Sequence, residues 1–157
     1  MNVRHIGLIS DTHGLLRPEA VKALQGSELI LHGGDVGKPE ILDELKKIAP
    51  VIAIRGNVDT ASWCGKLKET ELVETEAATF YLIHNITDLD VNPTAAGIDI
   101  VLFGHSHQPK QYKMDGVLYI NPGSAGPRRF NLPISLARLD LAKTPWSVEF
   151  VTLDAPQ

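Results

Sequence analysis

The side chains in this 157-residue sequence best equipped for chemistry are imidazoles and carboxylates set in short motifs. Asp11 and His13 form an Asp-x-His pair, Asp35 follows Gly33-Gly34, Asn57 follows Gly56, His84 ends an apolar run, and His105 and His107 form a His-x-His pair. Either spacing lets both members of a pair project from one turn toward one ion. Carboxylate, imidazole and amide donors with no thiolate among them suit hard or borderline divalent cations. Gathered without cations, such a set would suffer like-charge repulsion and the cost of leaving water, so it calls for metal. Two ligand sets follow if one carboxylate is shared, and Asp35 is chosen as that bridge.

Each motif directly follows a short apolar run, which says what must position it. Strands are expected over residues 3–9, 29–32 and 51–54, separated by a helix that Pro18 opens and Gly26 stops and by a second that begins at Pro39 and ends at Pro50. Leu24, Ile41, Leu45 and Ile48 are spaced for the buried faces of these helices. Strand alternating with helix is the habit of βαβ units and a parallel sheet. Shorter strands follow over 72–76, 79–83, 98–103, 112–114, 117–120, 134–139 and 148–153, with a hairpin turn at Asp115-Gly116 and a longer polar connection over 85–97. In open α/β sheets ligands bind beyond the carboxyl ends of the strands, so the motif-bearing loops should meet on one rim.

The bulk properties fit one soluble domain spanning 1–157: 43% hydrophobic and 22% charged residues, with mean hydropathy near zero. A net charge of −4 and a pI near 5.8 exclude a global attraction to nucleic acid or to an anionic membrane, and favour a small or locally bound substrate. Nucleic acid is the weaker reading, and homo-oligomerisation stays open. The single cysteine, Cys64, makes no intrachain disulfide, and no apolar stretch resembles a signal peptide or a membrane span, so a cytoplasmic location is expected.

In order along the chain, Asp11-x-His13, Gly34-Asp35, Gly56-Asn57, His84 and Gly104-His105-x-His107 resemble the motif series of the calcineurin-like metallophosphoesterases. The short length and the segment Asn121-Pro122-Gly123-Ser124 resemble the small bacterial and archaeal phosphodiesterase branch. The resemblance implies an α/β, four-layer α/β/β/α sandwich, with two mixed sheets packed face to face and helices outside. It implies a dinuclear site, with Asp11, His13, Asp35 and His107 on one ion and Asp35, Asn57, His84 and His105 on the other. The two divalent ions would be manganese, with zinc, iron or nickel as alternatives, and a metal-bridging hydroxide would attack phosphorus in line. Asp35, Asn57 and His84 take the catalytic roles. The substrate implied is a small phosphoester, with Asn57, backbone donors near Gly123 and Ser124, and the Arg128 guanidinium as the candidates for contact with it. The competing reading is a non-catalytic scaffold, because a vacuolar sorting protein of the retromer complex resembles this fold.

Two positions depart from the family pattern. Where many members place a proton-donating histidine after Gly-Asn, this chain has Val58-Asp59. General acid help is typically worth about 10²–10⁴-fold, so its loss favours diesters or activated esters. Asp59 reads as a solvated carboxylate capping the next turn. His84 is followed by Asn85 rather than glycine, and then by Asp88 and Asp90, which alters access to the site. His5 and His32 have no partner spacing and are read as structural.

Overall fold

Ten strands and two α-helices are laid down over residues 1–153, the residues described by the computed structural model. The first sheet has the order β10-β9-β1-β2-β3. Its parallel centre is β1 (His5–Ile9), β2 (Leu29–His32) and β3 (Val51–Ala53), and β9 (Ser135–Asp140) and β10 (Ser147–Thr152) extend it antiparallel. The second has the order β4-β5-β6-β8-β7, with β5 (Thr79–Ile83), β6 (Ile100–Leu102) and β8 (Val117–Asn121) parallel. Antiparallel edges β4 (Thr70–Glu74) and β7 (Lys110–Met114) flank that triple. Both sheets are therefore mixed, each around a parallel core.

The inner faces pack on each other: Ile6, Leu8, Leu29 and Leu31 from the first sheet share one buried cluster with Phe80, Leu82, Ile100 and Leu102 from the second. On the outside of the first sheet lie α1 (Pro18–Ala23) and α2 (Pro39–Lys46). Each starts at a proline, carries an acid in its first turn (Glu19, Glu40) and a lysine in its last (Lys22, Lys46), which suits the helix dipole. Ile41, Leu42 and Leu45 of α2 and Leu24 just past α1 bury against Ile30 and Leu136. The outer face of the second sheet is covered differently. A 3-10 turn (Ile86–Asp88) and the connection up to Ile98 lay Ile86, Leu89 and Ile98 over Val101, Phe103 and Tyr119. The fourth layer is thus reduced to a turn and a loop.

Element ends differ from the sequence reading where side chains rather than hydropathy decide them. β4 ends at Glu74 because Thr75 closes the hairpin, its Oγ1 donating to Ala78 O and accepting from Ala78 N. β7 begins two residues earlier than expected, at Lys110, since a sheet edge facing water needs no apolar run there. Among the described residues no helix is long and apolar enough to cross a membrane.

Candidate metal centre

Because both parallel triples end on the same side, their loops meet, and the backbone ladder between β1 and β2 runs on into those loops. Gly33 N donates to Ile9 O, Asp11 N to Gly34 O, His13 N to Asp35 O and Gly14 N to Val36 O, all at 2.8–3.0 Å. Asp11, His13 and Asp35 are thereby fixed relative to one another by main chain. From the second sheet, Gly104 N donates to His84 O. His105 N donates to Asp11 Oδ2 at 3.2 Å, which ties the two sheets together at the site. Asp11, His13, Asp35, His105 and His107 all have left-handed backbones, with φ between 48° and 72°. Such a conformation costs non-glycine residues on the order of 1 kcal/mol each. Its concentration on expected ligands marks loops shaped for placing side chains.

Each carboxylate has one oxygen held and one turned inward. Asp11 Oδ2 accepts from Ser10 Oγ at 2.7 Å and from His105 N, while Asp35 Oδ1 accepts from Val58 N at 3.0 Å. The inward Asp11 Oδ1 lies 3.7 Å from His13 Nε2, 3.7 Å from His84 Nε2 and 3.4 Å from His107 Nε2. Asp35 Oδ2 lies 3.7 Å from His13 Nε2 and 3.1 Å from His84 Nε2, the latter close enough for an ion pair but off the line of a hydrogen bond. Both carboxylates therefore reach both groups of imidazoles. His84 is aimed by Gly33 O, 2.8 Å from Nδ1. A carbonyl can only accept, so Nδ1 carries the proton and Nε2 presents its lone pair to the cluster.

These spacings are those of a coordination shell. Donors about 2.0–2.2 Å from a shared cation stand about 3.0–3.5 Å from each other, close to the 3.1–3.7 Å measured between the inward atoms. Two of the atoms that face the cluster, Asp11 Oδ1 and His84 Nε2, are buried with no hydrogen-bond partner, as is His107 Nδ1 on the ring edge away from the cluster-facing Nε2. Buried polar groups are normally satisfied, so the cluster fits a divalent cation. Burial raises the Asp11 carboxyl, but His107 and His13 beside it outweigh that and hold it well below the usual carboxylate range. Asp35 is likewise lowered, against burial, by His84 and the Val58 N–H. His84 is raised, with Asp35 and Asp11 overcoming its burial. The site keeps its carboxylates ionised, as ligands must be.

Asp11, His13, Asp35, His84 and His107 come together as expected. Asn57 and His105 are exposed on the rim of an adjoining cleft of about 540 Å³ that His84 also lines, and the His105 ring meets the His84 ring edge-on at 5.3 Å. Gly123 and Ser124 do not face that cleft. Gly123 N donates to Asn121 Oδ1, and the buried Ser124 Oγ donates to Asp11 O at 2.9 Å, so Ser124 supports the Asp11 loop and Gly123 orients Asn121. Arg128 is exposed, with Nη1 donating to Leu132 O in its own loop. His32 is structural as read: buried, it accepts from Gly34 N at Nδ1 and meets Thr12 Oγ1 at 3.0 Å through Nε2.

Asp59 is not solvated. It is buried and accepts from three backbone N–H groups, Val36 (3.1 Å), Gly37 (3.0 Å) and Gly56 (2.9 Å), clamping the Asp35 and Asn57 loops together. Asn121 does the same for the His-x-His loop, its Nδ2 donating to Gly104 O and Ser106 Oγ at 3.1 Å. Gly56 and Gly104 leave room for the cage: a Cβ on Gly56 would run into Asp35 Oδ1, and one on Gly104 into Ser10 Oγ and Asp11 Oδ2.

Residues 5–144 match the family model of the calcineurin-like phosphoesterase superfamily domain. A probable metallophosphoesterase of Methanothermobacter thermautotrophicus is 35% identical over 164 aligned positions, covering 96% of this chain and 94% of its own. Among solved structures, a protein described as a novel archaeal phosphodiesterase superposes with a TM-score of 0.79 at 25% identity, covering 94% of this chain and 99% of its own. Vps29 of Entamoeba histolytica complexed with zinc superposes with a TM-score of 0.73 at 20% identity, covering 96% and 99%, a likeness of fold.

Proposed function

The chain belongs to the calcineurin-like phosphoesterase superfamily, and we propose that within it the protein is a phosphodiesterase working with two divalent cations. The observation that carries this reading is the convergence of two ionised carboxylate oxygens on imidazole Nε2 atoms at ligand-to-ligand spacing, from strand ends of both sheets. Asp11, His13, Asp35 and His107 would hold one ion, and Asp35, Asn57, His84 and His105 the other. Manganese comes first, with zinc, iron and nickel as alternatives, since mixed oxygen and nitrogen donors suit each of them. When bound, such a pair of ions supplies acidified water and neutralises charge on the phosphoryl oxygens.

The protein's own part is positioning. The Val58 N–H and Gly33 O orient Asp35 and His84, and the exposed Asn57, which lines the cleft, is the candidate for contact with a phosphoryl oxygen. The Val58 side chain, 46% exposed, has no proton to give. A leaving group must then take its proton from water, which suits diesters with good leaving groups better than demanding monoesters. The cleft volume suits a small ester. The scaffold reading draws on the likeness of fold to Vps29 at 20% identity, and the 35% identity to a probable metallophosphoesterase over 96% of the chain favours the enzyme over it.

The test is hydrolysis of bis-p-nitrophenyl phosphate by metal-loaded wild type and Asp35→Asn. Activity that needs metal and falls at least about a hundredfold in the variant supports the proposal, and equal activity in both overturns it.

A further inference from the structure

A chain of buried hydrogen bonds begins and ends beside Asp35. Gly34 N donates to His32 Nδ1 at 3.1 Å, His32 Nε2 stands 3.0 Å from Thr12 Oγ1, and Thr12 Oγ1 donates to Val36 O at 2.8 Å. Gly34 and Val36 are the chain neighbours of Asp35, and Thr12 sits between Asp11 and His13. The direction of every bond follows from proton counting. A hydroxyl has one proton and Thr12 spends it on Val36 O, so toward the ring its oxygen accepts and Nε2 carries the proton. Nδ1 takes the Gly34 N–H and therefore carries none, so both ends of the chain require the same neutral tautomer. All four residues are buried, and a broken link would leave a polar group unsatisfied. The residues they brace, Asp11, His13 and Asp35, hold left-handed backbones with φ between 48° and 56°.

We propose that His32 is a positioning residue for the metal centre: through this single tautomer it ties the turn carrying Asp11 and His13 to the turn carrying Asp35, and so sets the spacing of the two carboxylates around the cations. The proposal rests on the metal-site reading. His32 works through the neighbours of the ligands, Thr12 and Gly34, and through donor and acceptor placement. A role in packing alone would need only a ring of the same volume at the end of β2.

Two variants separate hydrogen bonding from packing. His32→Phe keeps a buried ring and removes both bonds, whereas His32→Gln offers an acceptor and a donor on one planar amide. In Mn²⁺ titrations of the chelator-stripped full-length protein, the dissociation constant should rise about 10–100-fold in His32→Phe, the usual cost of losing an outer partner of metal ligands, and stay within about threefold of wild type in His32→Gln. The visible absorption of the Co²⁺-saturated protein should change shape in His32→Phe and match wild type in His32→Gln. Wild-type affinity and spectrum in His32→Phe, or a His32→Gln no better than His32→Phe, overturns the proposal. Should His32→Phe fail to fold, Thr12→Val and Thr12→Ser repeat the comparison, since only serine keeps the hydroxyl; equal constants in these two overturn it. Nitrogen-15 NMR of the metal-free wild type should find the His32 proton on Nε2, and a proton on Nδ1 also overturns it. None of these readouts needs turnover. A wild type that binds two ions without cleaving bis-p-nitrophenyl phosphate, with His32→Phe weakened and His32→Gln restored, ends the phosphodiesterase reading and supports this inference; tight binding and full hydrolysis by His32→Phe end this inference alone.

Discussion

The Nε2 atoms of His13 and His107 stand 3.3 Å apart, with Asp11 Oδ1 3.7 Å from the first and 3.4 Å from the second. Two neutral imidazoles can share that contact only if one of them donates a proton along it, whereas a cation between them accepts a lone pair from each and charge from the carboxylate. The left-handed backbones of all three residues, and the ladder that locks Asp11 and His13 onto the Asp35 loop, hold the triangle in place without the ion. The protein thus has a preorganised cage.

Val58 tests the protonation account. Its N–H is committed to Asp35 while its side chain is exposed, so Val58→His should leave the cage intact and put an imidazole next in the chain to Asn57. Turnover of alkyl diesters should rise by about tenfold or more, against little change for p-nitrophenyl leaving groups. Parallel changes on both substrate types would remove this explanation of the position.

Asp59→Asn should loosen two ligand loops at once. An amide offers a single acceptor oxygen and sets N–H against N–H where three backbone donors now converge. Hydrogen bonds to a charged group are worth about 1.5–3 kcal/mol, so urea unfolding of the metal-free variant should show a loss of about 2–3 kcal/mol. Stability within 0.5 kcal/mol of wild type, as an order-of-magnitude bound for solvated surface positions, would restore the solvated reading.

Asn121→Ala should act on metal rather than on the core. It frees Gly104 O and Ser106 Oγ, and with them the turn that carries His105 and His107. Loss of an outer partner of ligands typically costs about 10–100-fold in metal affinity, measurable by Mn²⁺ titration. Unaltered affinity would show that the loop holds its shape unaided.

His32 gives a pH signature of stability. Burial lowers its pKa to about 4, against the pull of Asp11 and Asp59, and the Gly34 N–H on Nδ1 agrees with a neutral ring. Between the ordinary histidine value of 6.5 and about 4 the unfolded chain binds a proton that the folded chain refuses, so stability falls as pH falls through that window. The full effect is about 3 kcal/mol. Chelator-treated wild type should therefore lose roughly 2–3 kcal/mol more than His32→Gln between pH 7 and pH 4. Parallel pH curves would contradict it.

The convergence of Asp11, His13, Asp35, His84 and His107 was legible in the sequence because each follows an apolar strand run, and strand ends of parallel segments must share an edge. The helices were legible from their prolines and the spacing of Ile41, Leu42 and Leu45. Asp59 was not, because its partners Val36 and Gly37 lie 22–23 residues away and nothing local says which N–H groups a loop aspartate will meet. The partner of Ser124 was hidden for the same reason: its hydroxyl is used 113 residues away, on Asp11 O. The edge strand β7 is polar because water, not core, covers it, so periodicity alone missed its first two residues. Long-range hydrogen bonding, rather than hydropathy, is what the sequence left unread.

The central claim is a two-ion hydrolytic site, and the most direct test is metal titration of the chelator-stripped protein with hydrolysis of bis-p-nitrophenyl phosphate followed in the same samples. Binding should saturate at two Mn²⁺ per chain, with activity rising as the second equivalent is taken up and absent from Asp35→Asn. Saturation at a single ion with full activity, or hydrolysis that persists after stripping, would contradict it.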